Sequence, residues 1–293
     1  NRTSRRLAAL VAGLLGVALA LAGCGGGSQA VDAAPAADAP VTITTAYGDT
    51  TVNAKPQRIV ALAARHVELL NLLGEKPVAW ADYTTTAEEV PQYYPWMVGT
   101  YSTDPDPNLF TADYVPAPEA IAALQPDLIL TTIWQTDEQM YQQLSQIAPT
   151  YVGIEKDTNT SWQDDLAALA KLTRNDQSIV QNTQAEYDAA FKAAAEKLTQ
   201  LKDKTFYIAA LGEGEQLWLT EYAAAPLMAL GLKPGPGQPM SGAEAADAPK
   251  YSQDNVDKLT ADVVLVATEH RDPNGSFKAA MQADPRVAAL PAA

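Results

Sequence analysis

One pattern constrains this chain more than any other, because it occurs twice. Leu70, Leu73 and Gly74 lead into Lys76-Pro77, and 157 positions later Leu227, Leu230 and Gly231 lead into Lys233-Pro234. A shift of 135 positions carries Glu119, Ile121, Leu124 and Asp127 onto Asp254, Val256, Leu259 and Asp262. The same shift lays Leu128-Ile129-Leu130 on Val263-Val264-Leu265. Any two αβ units share apolar periodicity. A matched Gly-x-Lys-Pro and a matched Asp before each strand go beyond it, and they imply two similar lobes of one architecture.

The local signals agree. Residues 41–45 alternate and are β-branched, so they read as a strand, with Gly48-Asp49 as the turn after it. Residues 59–62, 77–80, 128–130 and 150–154 read as further strands. Between them, Val67, Leu70 and Leu73 lie at helical spacing and Gly74 stops that helix, while 118–125 and 141–147 also read as helices. Ser161 with Asp164 three residues on resembles a capping box at the start of a long Ala- and Leu-rich stretch. Residues 175–201 hold neither Gly nor Pro and could form one helix of about 25 residues, about 38 Å long. Strands at 206–211, 216–220 and 263–266 and helical turns at 226–230 and 256–259 make a second set. Strands alternating with short helices imply an α/β fold with mainly parallel sheets.

The first forty residues bear on compartment. Arg2, Arg5 and Arg6 precede an uncharged run from 7 to 21, which ends in Leu21-Ala22-Gly23-Cys24. Charge, apolar run and small residues in that order are the secretory pattern, and the run is short for a spanning helix of about 20 residues. The stretch resembles the bacterial lipobox. By that resemblance, cleavage after residues 1–23 leaves Cys24 as a lipidated N-terminus carrying diacylglycerol and palmitate; a plain signal peptide or an uncleaved anchor are the alternatives. Residues 24–40, dominated by Gly, Ala, Ser and Pro, read as a flexible tether. The expected location is the outer face of the bacterial cell membrane. The chain starts at Asn1 rather than Met and is expected to be incomplete at both ends.

Composition excludes several classes. The chain of 293 residues has 20 Lys plus Arg against 35 Asp plus Glu, a formal charge of −15. Removing residues 1–23 takes away three Arg and no acid, leaving −18. Outside the first six residues no Lys/Arg run gathers phosphate, so nucleic acid is a poor partner. One Cys excludes an internal disulfide, and two His (His66 and His270) exclude a His-rich metal cage. No Gly-x-Ser-x-Gly elbow, phosphate-cradling glycine loop or His-Glu-x-x-His is present, so no catalytic residues, no metal ligands and no cofactor are assigned, and an enzyme is not expected.

Taken together, Pro56-Gln57-Arg58-Ile59-Val60-Ala61-Leu62, Glu68-Leu69-Leu70, Leu72-Leu73-Gly74 and Lys76-Pro77-Val78 resemble the opening of the ferric-siderophore-binding lipoproteins of ABC importers, a family with vitamin B12 and haem receptors among its relatives. Pro118-Glu119, Ile121, Leu124, Pro126-Asp127-Leu128-Ile129, Leu144, Ile147-Ala148-Pro149-Thr150 and Ala261-Asp262-Val263-Val264 are similar to its later signatures. The resemblance implies two αβ lobes joined by one rigid helix, with a ligand cleft between them. It divides the chain into an N-terminal lobe at 41–160, a helical segment at 161–203 and a C-terminal lobe at 204–293. It implies a monomer that hands a ferric siderophore to an ABC permease with its ATPase.

Open α/β sheets bind ligands at the carboxyl ends of their strands. That rule nominates Arg65, His66, Trp80, Tyr83, Trp96, Tyr101, Trp134 and Gln135 in the first half, and Trp218, Tyr222, His270 and Arg271 in the second. Aromatics offer flat contact area and Arg offers forked donors for an anionic, oxygen-rich chelate. Each Trp or Tyr could equally be plain core, and a lone His is more often structural. Glu68 stands six positions before Gly74, where the family carries an acid that pairs with Arg on the permease; the matching position in the second half is Ala225, so either Glu221 substitutes there or the second contact is absent. A haem or corrinoid receptor, with His66 or His270 as axial ligand, is the alternative within the fold. A surface lipoprotein with a structural or enzymatic role is the alternative outside it.

Overall fold

The computed structural model describes residues 39–82, 88–97, 104–156, 158, 160–211, 216–241, 244–245, 248, 250–268 and 276–288. Residues 1–38 with Cys24, and Tyr83, Tyr101, His270 and Arg271, lie outside the described residues.

A hairpin of β1 (Val41–Thr45) and β2 (Gly48–Val52) opens the fold. Its turn is Ala46-Tyr47 and not Gly48-Asp49 as the sequence suggested. The reason is that pairing continues through both residues: Gly48 faces Thr45, and the Thr44 hydroxyl donates to Asp49 across the ladder at 2.8 Å.

The first main sheet contains β3 (Ile59–Ala61), β4 (Ala79–Trp80), β5 (Leu128–Leu130) and β6 (Thr150–Tyr151) in the order β4-β3-β5-β6, all parallel. Every residue of these strands is buried, as a sheet covered on both faces requires. Alternation sorts them into two cores. Ile59, Ala61, Leu128 and Leu130 pack with Leu70 of α1 (Ala64–Leu72) and with Leu166 and Leu169 of α5 (Trp162–Leu172). Val60 and Ile129 face the other way, against Ile121 of α3 (Pro118–Ala123) and Leu144 of α4 (Glu138–Ser145). A four-residue helix, α2 (Val90–Tyr93), lies between β4 and α3.

Helix α6 (Ser178–Lys197) links this sheet to the next. At 20 residues it is about 30 Å long and shorter than the Gly- and Pro-free stretch allows. Arg174 adopts φ 56°, and the Asn175 amide turns back to the Ala170 carbonyl at 2.8 Å, which ends α5 and delays the new helix. Ile179 and Val180 near its start rest on the first core, and Leu201 just beyond its end rests on a core of the second sheet.

That second sheet is built on β7 (Thr205–Leu211). One edge of β7 pairs in parallel with β11 (Val263–Thr268). The other edge takes the two-residue parallel strand β9 (Lys233–Pro234) at its start and the antiparallel β8 (Gln216–Leu219) at its end, with β10 (Lys250–Ser252) antiparallel beyond β8. Helix α7 (Ala224–Ala229) precedes β9, a 3-10 turn (Gln253–Lys258) stands where helix was expected at 256–259, and α8 (Ser276–Ala283) and α9 (Pro285–Ala288) follow β11. The architecture is two αβ lobes, each with its own sheet and cores. Among the described residues no helix is long and apolar enough to cross a membrane.

The repeat seen in the sequence is a structural repeat. Gly74 and Gly231 take φ 71° and 93°, the left-handed conformation that closes a helix. In both places the next amide bonds five residues back, Glu75 to the Leu70 carbonyl at 2.9 Å and Leu232 to the Leu227 carbonyl at 3.2 Å. The matched Asp residues also share a task. Asp127 accepts the backbone amides of Gln57 and Arg58 just before β3, at 2.7 and 2.8 Å. Asp262 accepts the Thr205 amide at the start of β7, at 2.8 Å.

Candidate functional site

A shallow, half-open pocket lies at the carboxyl ends of β3, β5 and β6, where the parallel-sheet rule places ligands. Arg65 and His66 from the first turn of α1, Thr131 to Ile133 after β5, Val152 and Gly153 after β6, then Thr158, Thr160 and Asp165, line it.

Arg65 is held rather than loose. Its Nη2 donates to Asp165 Oδ2 at 2.5 Å and to the Thr160 carbonyl at 2.8 Å. The side chain stays about one-third exposed, and neither bond uses Nε or Nη1. Asp165, in the first turn of α5, is only 2% exposed. Its second oxygen accepts the Tyr151 hydroxyl at 2.7 Å. Burial pushes the Asp165 carboxyl up from its ordinary range, opposed by the Arg65 charge and by the bonds from Tyr151 and Arg65. Burial, then Asp165 itself, raises the Tyr151 phenol.

The neighbouring elements fix these positions. Asp82, just after β4, accepts the Ala64 amide at 2.9 Å and so caps α1, whose own N-cap residue Ala63 supplies no side-chain bond. Gly153 (φ 94°) comes so close to Thr160 that a Cβ there would stand 2.7 Å from the Thr160 hydroxyl, and that hydroxyl accepts the Ile154 amide. The loop after β5 is closed by a Thr131–Thr136 hydroxyl pair at 2.7 Å. Gln135 is spent on the same loop: its amide donates to the Leu62 carbonyl at 2.7 Å, and its oxygen accepts the Thr132 hydroxyl. Trp134 projects from this loop, 64% exposed.

Two expected contact residues are core instead. Trp80 is 1% exposed and packs with Leu70, Leu130 and Val67. It is the last residue of β4 rather than one beyond it, and it pairs with Ala61, whose small side chain leaves room for the indole. His66 is also 1% exposed, with its ring edge toward Tyr151 at 6.0 Å and Nδ1 buried without a hydrogen-bond partner. Burial, and then the Arg65 charge, push it down to about 3, so it is neutral at physiological pH. A buried ring cannot reach out as an axial ligand to a large cofactor.

The other expected residues are dispersed. Trp96 is exposed, lies edge-on to Tyr94 at 5.8 Å, and donates its indole N–H to Glu68. Glu68 is therefore a half-buried, bonded acid. Burial raises its carboxyl, and the Trp96 bond and the Arg65 charge oppose that. In the second lobe, half-buried Trp218 carries the Lys250 ammonium over its ring at 5.5 Å, and Tyr222 is exposed. The segments after β7 and β11, 212–215 and 269–275, lie outside the described residues. Sequence reasoning missed Asp165, Tyr151 and the Thr residues of the pocket. Asp165 was visible only as a first-turn acid of a helix, and its partner lies 100 positions away. Among the described residues no three His, Cys, Asp or Glu side chains converge as a metal site.

Comparison with known proteins gives consistent matches. Residues 59–293 match the family described as periplasmic binding protein. The ferric enterobactin-binding periplasmic protein FepB of Escherichia coli O6:H1 is 30% identical over 204 residues, which cover 68% of this chain and 63% of that protein. The chain thus spans a little under two thirds of that relative's length. A periplasmic solute-binding protein of Mycobacterium smegmatis superposes with a TM-score of 0.67 at 24% identity, covering 86% of this chain and 85% of its own. Staphylococcus aureus SirA, solved with staphyloferrin B, superposes at 0.64 with 21% identity and 86% coverage of both chains. At these identities the two structures speak for the fold.

Proposed function

The chain belongs to the periplasmic binding protein family, and from that premise we propose that it is the substrate-binding component of an ABC importer, capturing a ferric siderophore and delivering it to a membrane permease. The observation that carries the reading is Arg65: a guanidinium partly exposed at the carboxyl ends of a parallel sheet, held from behind with N–H donors to spare. Trp134, exposed on the pinned loop that follows the pocket's Thr131 to Ile133, is in this reading a flat apolar surface for a ligand's rings or methylenes. The names of FepB, for ferric enterobactin, and of SirA with staphyloferrin B, support the class of ligand.

In this reading residues 41–160 and 204–293 are the two binding lobes, and 161–203, with α6, is the strut that limits their closure. Iron arrives already chelated, so the protein recognises the chelate's outer surface. Residues 1–23 direct export, and Cys24 carries the lipid that tethers a monomer to the outer face of the membrane through 24–40. Glu68 is the acid that docks on the permease, and it exchanges its Trp96 bond for a permease cation on contact.

Intrinsic tryptophan fluorescence titrated with a panel of ferric siderophores and haem tests the proposal. Saturable quenching by at least one ferric siderophore, weakened in Arg65→Gln, is expected. A panel that leaves the emission unchanged would remove the receptor reading. Glu68→Ala should bind normally and fail in uptake.

A further inference from the structure

We propose that Asp165 is a specificity-determining counterion, which neutralises Arg65 and biases the pocket toward ferric chelates of low negative charge. The inference rests on the receptor reading above and names the ligand class within it.

Among the described lining residues Arg65 is the sole cation, and its charge is already matched. Asp165 meets it from the protein side, buried, with Tyr151 holding the other carboxylate oxygen, so the pair cannot separate without stranding a charge. A second carboxylate, Glu68, lies close enough to feel the same guanidinium. His66 contributes no charge, because its buried ring is neutral. Among the described lining residues, what remains to meet a ligand is the set of Thr131, Thr132, Thr158 and Thr160 with the spare N–H groups of Arg65. That surface offers hydrogen bonds but no net positive charge. Three hydroxamates around ferric iron give a neutral chelate and suit such a surface. Three catecholates give a triply negative one, and it gains little from a cation that is already paired.

The test compares one neutral ferric trihydroxamate and one triply negative ferric tris-catecholate, titrated against wild-type protein, Asp165→Asn and Arg65→Gln by tryptophan fluorescence at low and high salt. Wild type should favour the trihydroxamate. Asp165→Asn keeps the shape and the Tyr151 contact but frees one positive charge. With a triply negative ligand about 8 Å away in water-like surroundings, it should move the affinity ratio toward the tris-catecholate by about tenfold, and by less at high salt. Arg65→Gln should move the ratio the opposite way. A purely structural defect would weaken both ligands together and leave the ratio fixed, and thermal melts identify a variant that has lost its fold. A wild-type preference for the tris-catecholate, or an unchanged ratio in both variants, overturns the counterion role while leaving a receptor in place. A wild type that binds neither chelate brings down the receptor reading itself.

Discussion

Mild acidification should destabilise this protein mainly through one side chain, His66. Its ring is buried, and the folded protein pushes its pKa down from 6.5 to about 3. In that window the unfolded chain binds a proton that the folded chain refuses, so stability rises with pH. The contribution is fully present above 6.5 and is lost as pH falls toward the folded value. Linkage removes about 1.4 kcal/mol for each pH unit travelled downward inside the window. Descending from pH 7 to pH 5 should cost about 2 kcal/mol, and reaching pH 3 about 4 kcal/mol. No discount for solvent screening applies, because the ring is not exposed. Glu68 and Asp165 work the other way. Their folded values are raised, so what they contribute is present at low pH and lost as pH rises through those values. Comparing wild type with His66→Gln in urea titrations at pH 7 and pH 5 cancels these acids and leaves the imidazole. The wild type should lose about 2 kcal/mol more than the variant over that interval. Only two His are present, so His270→Gln leaves one imidazole resonance, and it should not shift between pH 7.5 and pH 5. Parallel stability curves, or a resonance that titrates near 6.5, would refute the reasoning.

Trp80→Ala should lower unfolding stability by about 3–5 kcal/mol, whereas Trp134→Ala should cost less than about 1 kcal/mol, both read by urea denaturation. Gly153→Ala would drive a Cβ to 2.7 Å from the Thr160 hydroxyl at a φ of 94°, so a loss of about 1–3 kcal/mol is expected in thermal melts. Because the Thr160 carbonyl also holds Arg65, the same variant should weaken ligand binding even at temperatures where it is fully folded. Asp127→Ala removes the acceptor of two exposed backbone amides and should cost about 0.5–1.5 kcal/mol, with hydrogen exchange quickened at Gln57 and Arg58 before β3 itself.

Much of the scaffold was legible because it is written in short-range periodicity. The alternation of Ile59, Val60 and Ala61 sorts those residues between two cores, as a strand buried on both faces must. The stop at Gly74 and the fall of Leu70 and Val67 on one helix face required nothing from the rest of the chain. The site was legible only as far as its strand ends. The Ser161 spacing marks Asp164 as the acid that bonds the Ser161 hydroxyl at the helix start, but nothing local marks Asp165 as the one buried against Arg65. That choice is made by β6 and α1 packing on α5, which no window of sequence contains. His66 could have been placed. It stands four residues before Leu70 on the buried stripe of α1, while Arg65 and Glu68, three apart, run along the partly open side. Trp80 was misjudged because the strand-end rule was applied one residue early. A two-residue strand that ends at the tryptophan keeps it inside.

The position of the repeat also explains why it could be detected at all. Asp127 and Asp262 clasp backbone at the amino edges of their sheets, and the turns at Gly74 and Gly231 lead back to those same edges. Each is a solution to folding an αβ unit: strand starts must be tied and helix ends must be closed, whatever the protein binds. The opposite edge of the first sheet carries Arg65 and the loop from Thr131 to Thr136, and neither shift lays matching residues on them. In the proposed receptor, recognition needs two different surfaces rather than one surface twice, because a chelate between lobes would present different atoms to each. The amino edges share a sequence signature, and the carboxyl edge of the first lobe carries the unshared Arg65–Asp165 pair. By the same logic, substitutions at the clasps and turns should move stability with little effect on ligand choice. Substitutions at Asp165 and Arg65 should move ligand choice by an amount that stability alone does not predict.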